Sequence, residues 1–391
     1  MALVRAKVKP ELLKWGRASA GFTLAEAAAK AAVPPEQVAA WEAGKNRPTM
    51  NQLHKLAKAY RRPISVFYLS HVPRDFEPMH DFRRLPGEVA LVYSSALRLE
   101  IRAAYQRRQL ALSLLEEIEQ ESPDFAWQAS IEEDPEIVAA RVREILHLTY
   151  GDQVQWREER TAYNAWRRKI EAAGALVFQA VSIATEEMRG FSIAERILPV
   201  IAVNAKDQPN GRTFTLLHEF AHLMLRESGL CDLDETGLRS DQEQRFEVYC
   251  NHVAGAALVP RDLLLREKIV TSKKQHHSEW GDDELLALSR QYGVSREVVL
   301  RRLLILGRTT AEFYAAKRRE FLAHYRRPER ARAPGEFRRN LPREAVSNYG
   351  RTFTQIVLAT YQQDRIALSD AAQYLGVRAR QLPAIEEMVR A

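Results

Sequence analysis

The chain has 391 residues, of which 46% are hydrophobic and 28% are charged, and its formal net charge is +7. This length predicts two or three domains, and the composition is that of a globular protein and excludes a fibrous or disordered chain. The two cysteines, Cys231 and Cys250, exclude a disulfide framework, so a zinc ion would have to be held by histidine and carboxylate side chains.

The chain shows neither the charged-then-apolar start of a signal peptide nor an apolar run long enough to cross a bilayer. We therefore expect no membrane partner and a location in the reducing cytoplasm. The positive charge is small for this length, so it is compatible with a nucleic-acid partner but does not require one.

Residues 1–70 are predicted to form an all-α domain of short helices. Thr23 is placed to cap a helix, with Glu26 at the reciprocal position of a capping box. Residues 33–35 (Val-Pro-Pro) then force a turn, and the next helix passes through Trp41. A helix, a tight turn and a second helix are typical of a helix-turn-helix domain.

The stretch from Gly21 to Thr49 resembles the XRE (Cro/C1-type) DNA-binding family. That resemblance implies the fold and a DNA contact through residues 1–70. Gln37 lies on the helix that would enter the major groove and could read adenine. Three basic residues could contact the phosphate backbone: Lys30, Lys45 and Arg47. The rest of the helix carries no arginine or lysine, so docking of a protein is the alternative.

Residues 71–88 contain three prolines and are interpreted as a linker. The spacing of apolar residues then predicts a long helix over residues 90–120, a second helix after Asp134-Pro135 and a third that ends before Gly174. We assign these helices to the N-terminal extension of a second domain, residues 89–320.

The hydrophobic period then changes from that of helices to that of strands. Three strand patterns follow one another: residues 175–181, 190–193 and 198–203. A turn is predicted at residues 207–211, and a helix follows it. Short strands that lead directly into a helix favour a small sheet packed against that helix, so this domain is expected to be mostly α with a small β-sheet.

The helix after that turn carries His218-Glu219-Phe220-Ala221-His222. The two histidines are four residues apart, so both rings project from one face and could bind one Zn²⁺ ion. Glu219 lies beside them and could act as the catalytic base that takes a proton from the attacking water. The rest of the helix is apolar, and buried histidines need a partner. The alternative is a pair of core histidines hydrogen-bonded to carbonyl groups.

Zinc in a catalytic site needs a third protein ligand. Five carboxylates downstream are candidates: Glu227, Glu235, Asp241, Glu243 and Glu247. The first two fall in a glycine-containing stretch that is predicted to be an exposed loop, whereas the others fall on a predicted helix over residues 241–258. Glu247 is preferred over Glu243 because Asn251, one turn later, could orient His218 by a hydrogen bond.

Residues 174–306 resemble the ImmA/IrrE family of metallopeptidases. The resemblance rests on the strand that ends at Asn204, the helix with the two histidines, and the stretch from Glu247 to Pro260, in which Val259 stands where methionine is commoner. It places the family's third metal ligand at Glu247 and implies a zincin-like α+β core that binds zinc. It also implies an endopeptidase that cleaves a regulatory protein, an XRE-type transcriptional repressor, in stress response or mobile-element control.

Further expectations concern the substrate and the transition state. The strand over residues 198–203 could pair with extended substrate backbone along a free edge. Tyr292 or Tyr314 could stabilise the oxyanion. Residues 285–306 are predicted to form a helix, a turn and a helix that pack in the core of the peptidase domain.

Arginine is concentrated between Arg326 and Arg343, in a segment that prolines interrupt. We interpret residues 321–344 as an interdomain linker, with a phosphate-contacting arm as the alternative. Residues 345–391 are predicted to form a small helical region that carries no chemistry.

Two other functions remain as alternatives to an endopeptidase. The protein could be a DNA-binding transcriptional regulator whose metallopeptidase-like domain senses or docks without cleaving, or it could be an antitoxin-like protein. The presence of Glu219 favours the peptidase, because a sensor would need the metal ligands but not the base.

Overall fold

A computed structural model describes seven stretches of the chain: residues 5–73, 80–81, 93–156, 158–227, 229–231, 241–325 and 340–390. The chain forms two compact units. Unit 1 comprises Met1–Met79 and Gly87–Gln106, and unit 2 comprises His80–Pro86 and Arg107–Ala391. Within the described stretches, no helix is long and apolar enough to cross a membrane.

Unit 1 is a bundle of short helices. Its first elements are α1 (Pro10–Ser19), α2 (Leu24–Ala31), α3 (Pro35–Glu42), α4 (Met50–Ala59) and a 3-10 helix (Ile64–Tyr68). The predicted capping box is present, because the Thr23 side chain accepts a hydrogen bond from the Glu26 N–H and the Glu26 carboxylate accepts one from the Thr23 N–H. α2 ends at Ala32 in the left-handed conformation, with φ 58°, and α3 begins three residues later. The predicted helix-turn-helix is thereby confirmed.

Helix α3 is fixed to the bundle by aromatic and charged contacts. Trp41 is only 1% exposed. Arg17 on α1 donates two hydrogen bonds, of 2.7 and 2.9 Å, to the Glu42 carboxylate. Phe22 meets Tyr60 edge to face, with ring centroids 5.4 Å apart. Trp41 and Glu42 therefore anchor the C-terminal end of α3, and the Phe22–Tyr60 pair lies in the same core as Trp41.

Helix α5 (Ser95–Glu117) contributes residues to both units, whereas the sequence analysis assigned all of it to the second domain. The other elements of unit 2 are, in chain order, β1 (His80–Asp81), α6 (Pro135–Ile145), α7 (Tyr150–Gln155), α8 (Glu159–Ala172), β2 (Leu176–Ala180), β3 (Gly190–Ile193), β4 (Val200–Asn204), α9 (Pro209–Leu225), β5 (Gly229–Cys231), α10 (Asp241–Leu258), α11 (Arg261–Leu264), α12 (Lys268–Thr271), α13 (Asp282–Tyr292), α14 (Arg296–Ile305), α15 (Ala311–Tyr325), α16 (Leu341–Tyr349), α17 (Arg351–Gln362), α18 (Leu368–Tyr374), a 3-10 helix (Ala379–Gln381) and α19 (Leu382–Arg390).

The strands form one five-stranded sheet in the order β1-β5-β3-β4-β2. β4 pairs in parallel with β2 and antiparallel with β3, and β3 pairs antiparallel with β5. The three predicted strands are present, which confirms the mostly α fold with a small sheet. The predicted free edge of the strand at residues 198–203 is wrong, because β4 has a partner on each side.

Two short strands complete the sheet and lie where no strand was predicted. β5 falls in the stretch that we expected to be an exposed loop. β1 falls in the expected linker and pairs in parallel with β5, with His80 opposite Gly229. Strands of two or three residues carry too few side chains to show an alternating pattern.

Helix α9 begins earlier than the sequence analysis placed it. Pro209 to Gly211, which were predicted as part of a turn, form its first turn. Proline suits this position because the first helical N–H groups have no partner within the helix. Asp207 lies just before the helix, and its Oδ1 accepts a hydrogen bond from the Gln208 N–H at 2.8 Å. From Thr213 to Met224 every residue is buried, so α9 is the central helix of unit 2.

Helix α10 packs against both α9 and α6. On the α6 side, Arg302 is fully buried and donates hydrogen bonds of 2.7 and 2.9 Å to the two carboxylate oxygens of Glu136. His252 on α10 lies 2.8 Å from the same carboxylate. The Arg302 Nε–H donates to the Val259 carbonyl at 3.0 Å, just beyond the end of α10. This network fixes the position of α10 against α6.

The predicted pair of helices after residue 285 is also present. Gly293 ends α13 in the left-handed conformation, with φ 68°. The Ser295 side chain caps α14 by accepting a hydrogen bond from the Val298 N–H. Val294 and Leu303 are buried in the same core as α9 and α10, as expected of a packing element.

The C-terminal helices belong to unit 2 and pack against β2 and α8. Gly350, between α16 and α17, has φ 80°, and a Cβ there would overlap the Glu171 carboxylate and lie 2.6 Å from the Val177 carbonyl. Phe353 meets Phe178 of β2 edge to face, with ring centroids 5.8 Å apart. The helices on each side of the arginine-rich segment reach further into it than predicted, since α15 continues to Tyr325 and α16 begins at Leu341. Residues 326–339 lie outside the described stretches.

Candidate metal centre

Helix α9 presents the two histidines of the candidate site on one buried face. His218 and His222 are both 0% exposed. Their ring centroids are 4.9 Å apart, and their Nε2 atoms are 3.2 Å apart. The spacing of four residues therefore brings the two rings together, as the helical geometry predicts.

Helix α10 adds a carboxylate to this pair. The Glu247 Oε1 atom lies 3.2 Å from His222 Nε2, and its Oε2 atom lies 3.5 Å from His218 Nε2. Glu247 is also fully buried. In the part of the chain that the structure describes, these three residues are the group with the spacing of metal ligands. The partly exposed Glu227 is not in this group, and Glu235 and the side chains of Asp241 and Glu243 lie outside the described residues.

The three side chains could hold a metal ion, and their chemistry suits zinc. Two ligand atoms at about 2.0–2.1 Å from one tetrahedral zinc ion lie about 3.3 Å apart, which is close to the separations found here. Two imidazoles and one carboxylate make the ligand set of a catalytic zinc site, with one position left for water. A fully buried carboxylate is costly without a compensating cation, so the burial of Glu247 fits a metal as well.

Glu219 follows His218 on α9, and its side chain reaches the sheet. Its carboxylate is fully buried, and its Oε1 atom would be 2.8 Å from a Cβ placed on Gly190, the first residue of β3. The base predicted from the sequence therefore faces a strand position that has no side chain.

The comparisons with known proteins assign this region. Residues 171–304 match the family model described as the IrrE N-terminal-like domain, of the peptidase M78 family. This part of the chain is an IrrE-like domain. Residues 13–67 match a helix-turn-helix model, so the chain joins an XRE-type helix-turn-helix to an ImmA/IrrE-type domain. A search of curated proteins found no match to the chain.

The IrrE-like domain holds a further residue against the metal cluster, and the sequence analysis missed its role. Cys250 is fully buried on α10, and its thiol lies close to the His222 side chain. Burial raises the pKa of the Cys250 thiol, so the thiol is a neutral partner of the imidazole. The sequence showed Cys250 only as part of an apolar stripe, although its position one turn after Glu247 places both on one face of α10.

Asn251 follows Cys250 on α10 and is 2% exposed. It was predicted to orient His218, and its burial one turn after Glu247 suits that role. The assignment of Asn251 to His218 stays a prediction.

The two tyrosines that were considered as oxyanion donors are each hydrogen-bonded to a carboxylate that is not part of the cluster. The Tyr292 hydroxyl donates to Glu267 at 3.2 Å, and the Tyr314 hydroxyl donates to Glu297 at 2.9 Å. Burial, followed by the nearby carboxylate, raises the pKa of Tyr314, so this hydroxyl stays protonated. Both hydroxyls therefore already have a carboxylate as hydrogen-bond acceptor.

The candidate DNA contacts lie on unit 1. Lys30, Lys45 and Arg47 are exposed. The half-buried Gln37 donates a hydrogen bond from Nε2 to Asn46 Oδ1 at 3.0 Å. To read a base with its amide, Gln37 would have to give up or share this hydrogen bond.

Proposed function

We propose that the protein is a zinc-dependent endopeptidase that cleaves a regulatory protein. The observation that carries this proposal is the convergence of His218, His222 and Glu247, together with the burial of Glu219, which follows His218 on α9. A protein that used a metal only to hold its fold would not need a buried carboxylate next to the ligands, because such a group is costly to bury.

The roles of the side chains follow from their chemistry. His218, His222 and Glu247 would hold the zinc ion, which when bound lowers the pKa of water and polarises a carbonyl group. Glu219 would take the proton from the attacking water and pass it to the leaving amine. Cys250, whose thiol lies close to the His222 ring, would help to orient that ring. Because all four site carboxylates and imidazoles are fully buried, a peptide bond can reach them only after covering residues move.

We further propose that the substrate is an XRE-type transcriptional repressor. Two observations support a regulatory substrate: the resemblance of the IrrE-like domain to a family that cleaves such repressors, and the helix-turn-helix domain on the same chain. The helix-turn-helix domain is of the same type as the proposed substrate. It could therefore bring the enzyme to the DNA sites at which the repressor acts.

The test is co-expression with XRE-type repressors encoded beside this gene, followed by mass spectrometry of the fragments. We expect the wild-type protein to cut one of them, and Glu219→Gln to keep about one zinc per chain but to cut nothing. Glu227→Gln is the matched control, because Glu227 follows α9 and lies outside the cluster. Equal cutting by Glu219→Gln, or purified wild-type protein free of zinc, would refute the mechanism.

A second candidate function is DNA binding by unit 1. It is favoured by the three exposed basic side chains, Lys30, Lys45 and Arg47. If Lys45 and Arg47 contact phosphates, the double variant Lys45→Ala/Arg47→Ala should bind operator DNA more weakly, with a salt dependence shallower by about two units. An unchanged salt dependence would favour a unit that docks protein instead.

A further inference from the structure

Gly190, the first residue of β3, stands where the sheet meets the catalytic face of α9. A Cβ placed on Gly190 would be 2.5 Å from the Thr215 Cγ2 atom and 2.8 Å from the Glu219 Oε1 atom. It would also be 3.2 Å from the carbonyl oxygen of Ala202 on β4. The first two distances are shorter than real Cβ contacts, so no side chain fits here without a shift of α9 or of the Glu219 carboxylate.

The backbone of Gly190 does not itself require glycine. Gly190 is paired in antiparallel register on both sides, with Val203 of β4 and Cys231 of β5. It is not among the glycines with positive φ. Glycine weakens a strand, because it loses more conformational entropy on folding and has no side chain to pack. The reason for a glycine at this position is therefore space, and a large part of that space is filled by Glu219.

The start of β3 is also held so that it cannot yield easily. Asn204, at the end of β4, is fully buried, and its side-chain amide donates to the Met188 carbonyl at 2.8 Å and to the Ile183 carbonyl at 3.2 Å. The Asn204 N–H donates to the Arg189 carbonyl at 2.8 Å. These bonds fix the loop that enters β3 and the residue immediately before Gly190.

We propose that Gly190 is a positioning residue for the catalytic base. Because Gly190 has no side chain, the Glu219 carboxylate can lie against β3. From that position the carboxylate acts as the base at the site formed by His218, His222 and Glu247. A side chain at position 190 would collide with the Thr215 methyl group and with that carboxylate, so we expect it to displace the base. This inference rests on the proposed function, because Glu219 needs a defined position only if it transfers a proton.

The test measures the binding of acetohydroxamate, which chelates the metal and gives its hydroxyl proton to a neighbouring carboxylate. Wild type, Gly190→Ala, Glu219→Gln and the double variant Gly190→Ala/Glu219→Gln are loaded with Co²⁺, and affinity is read from the visible spectrum. We expect Gly190→Ala to bind one metal ion per chain and acetohydroxamate about tenfold or more weakly, the effect of one lost charge-assisted hydrogen bond. In the Glu219→Gln background, Gly190→Ala should have no further effect, because both changes act on the same carboxylate.

The control is Ser192→Ala, a change of a fully buried side chain on the same face of β3, which should bind acetohydroxamate like wild type. If Gly190→Ala does not fold, Gly190→Ala/Thr215→Ser removes the methyl contact, keeps the contact with Glu219, and should show the same weakening. Wild-type affinity in a folded Gly190 variant, or equal effects of Gly190→Ala with and without Glu219, would overturn the inference. Wild-type protein that binds no metal would instead overturn the proposed function, and this inference with it.

Discussion

The site owes its form to a few side chains whose positions are set by two helices. His222 is the most constrained of them, because Glu247 lies 3.2 Å from its Nε2 atom and the Cys250 thiol lies close to its ring. Both partners come from α10, so one helix supplies a ligand and orients another. A ligand with a fixed ring orientation binds a metal with a smaller loss of entropy on binding.

The assignment of the third ligand can be tested by a pair of glutamate variants. Glu247→Gln keeps the volume of the side chain but removes the charge that would bind zinc. We expect its zinc content, measured by mass spectrometry of the metal, to fall far below one per chain, with a loss of affinity beyond the roughly 10–100-fold typical of residues that touch only the ligands. Glu243→Gln, at the other glutamate considered from the sequence, should keep its zinc. The opposite pattern would move the ligand to Glu243.

The contact between Cys250 and His222 makes a smaller prediction. Cys250→Ala should weaken zinc binding by about tenfold, because the imidazole loses a neighbour that we expect to hold its orientation. Cys250→Ser should lose less, since a hydroxyl is a polar group of similar size at the same place. Competition with a chelator measures the zinc affinities of the wild type, Cys250→Ala and Cys250→Ser, and so tests whether the thiol supports His222. Equal affinities of Cys250→Ala and wild type would mean that the thiol fills space only.

Among the elements, α10 depends on its contacts with α6 as well as on those with α9. Burial raises the pKa of Glu136, but the hydrogen bonds from His252 and Arg302 outweigh burial and lower the pKa to about 2, from an ordinary value of 4.5. Because the pKa is lowered on folding, the ionised carboxylate stabilises the protein fully above about pH 4.5. That stability is lost as the pH falls toward 2.

Glu136→Gln should therefore lower the free energy of unfolding at pH 7 by about 3 kcal/mol, since it leaves the buried Arg302 without a counter-ion. Between pH 5 and 3 the variant should lose less stability than wild type. Urea unfolding at several pH values measures both effects. Glu132→Gln is the control, because Glu132 and its partner Arg245 are exposed, and it should change little. Parallel pH profiles of Glu136→Gln and wild type would contradict the account.

How far the sequence predicts the structure depends on whether the cause is local. The bounds of α10 were predicted because Pro260 ends the helix and its apolar stripe is regular. The free edge of the strand at residues 198–203 was predicted wrongly, because the order of strands is set by contacts distant in the chain. The hydrogen bonds of Tyr292 and Tyr314 could not be predicted for the same reason, because their acceptors, Glu267 and Glu297, are distant in the chain. Cys250 was interpreted only as part of an apolar stripe, because His222, to which its thiol lies close, is on another helix.

At the scale of the whole molecule, the C-terminal helices are part of unit 2 even though an arginine-rich segment precedes them. Arg107 lies between the rings of Phe178 on β2 and Tyr349 on α16, at 5.3 and 5.1 Å from their centroids. Arg167 on α8 donates to the Ser347 carbonyl at 2.5 Å. These contacts would survive a break of the chain between α15 and α16.

This can be tested by inserting the recognition site of a specific protease between residues 326 and 339. After cleavage we expect the two fragments to elute together in gel filtration and to separate only in denaturant, because α16 and α17 stay packed against β2. The uncut protein with the same insertion is the control for its effect on folding. A C-terminal fragment that elutes separately in native buffer would show that the contacts with β2 are weak.

The packing of α16 and α17 against β2 affects how the protein behaves in concentrated solution. β2 is the last strand of the sheet, and its outer side has no strand partner among the described residues. An uncovered strand of this kind offers N–H and C=O groups to the sheets of other molecules and is a common start of aggregation. The helices that begin at Leu341 therefore protect β2 from pairing with other molecules. A protein without these helices should precipitate before any change at the metal ligands can be measured.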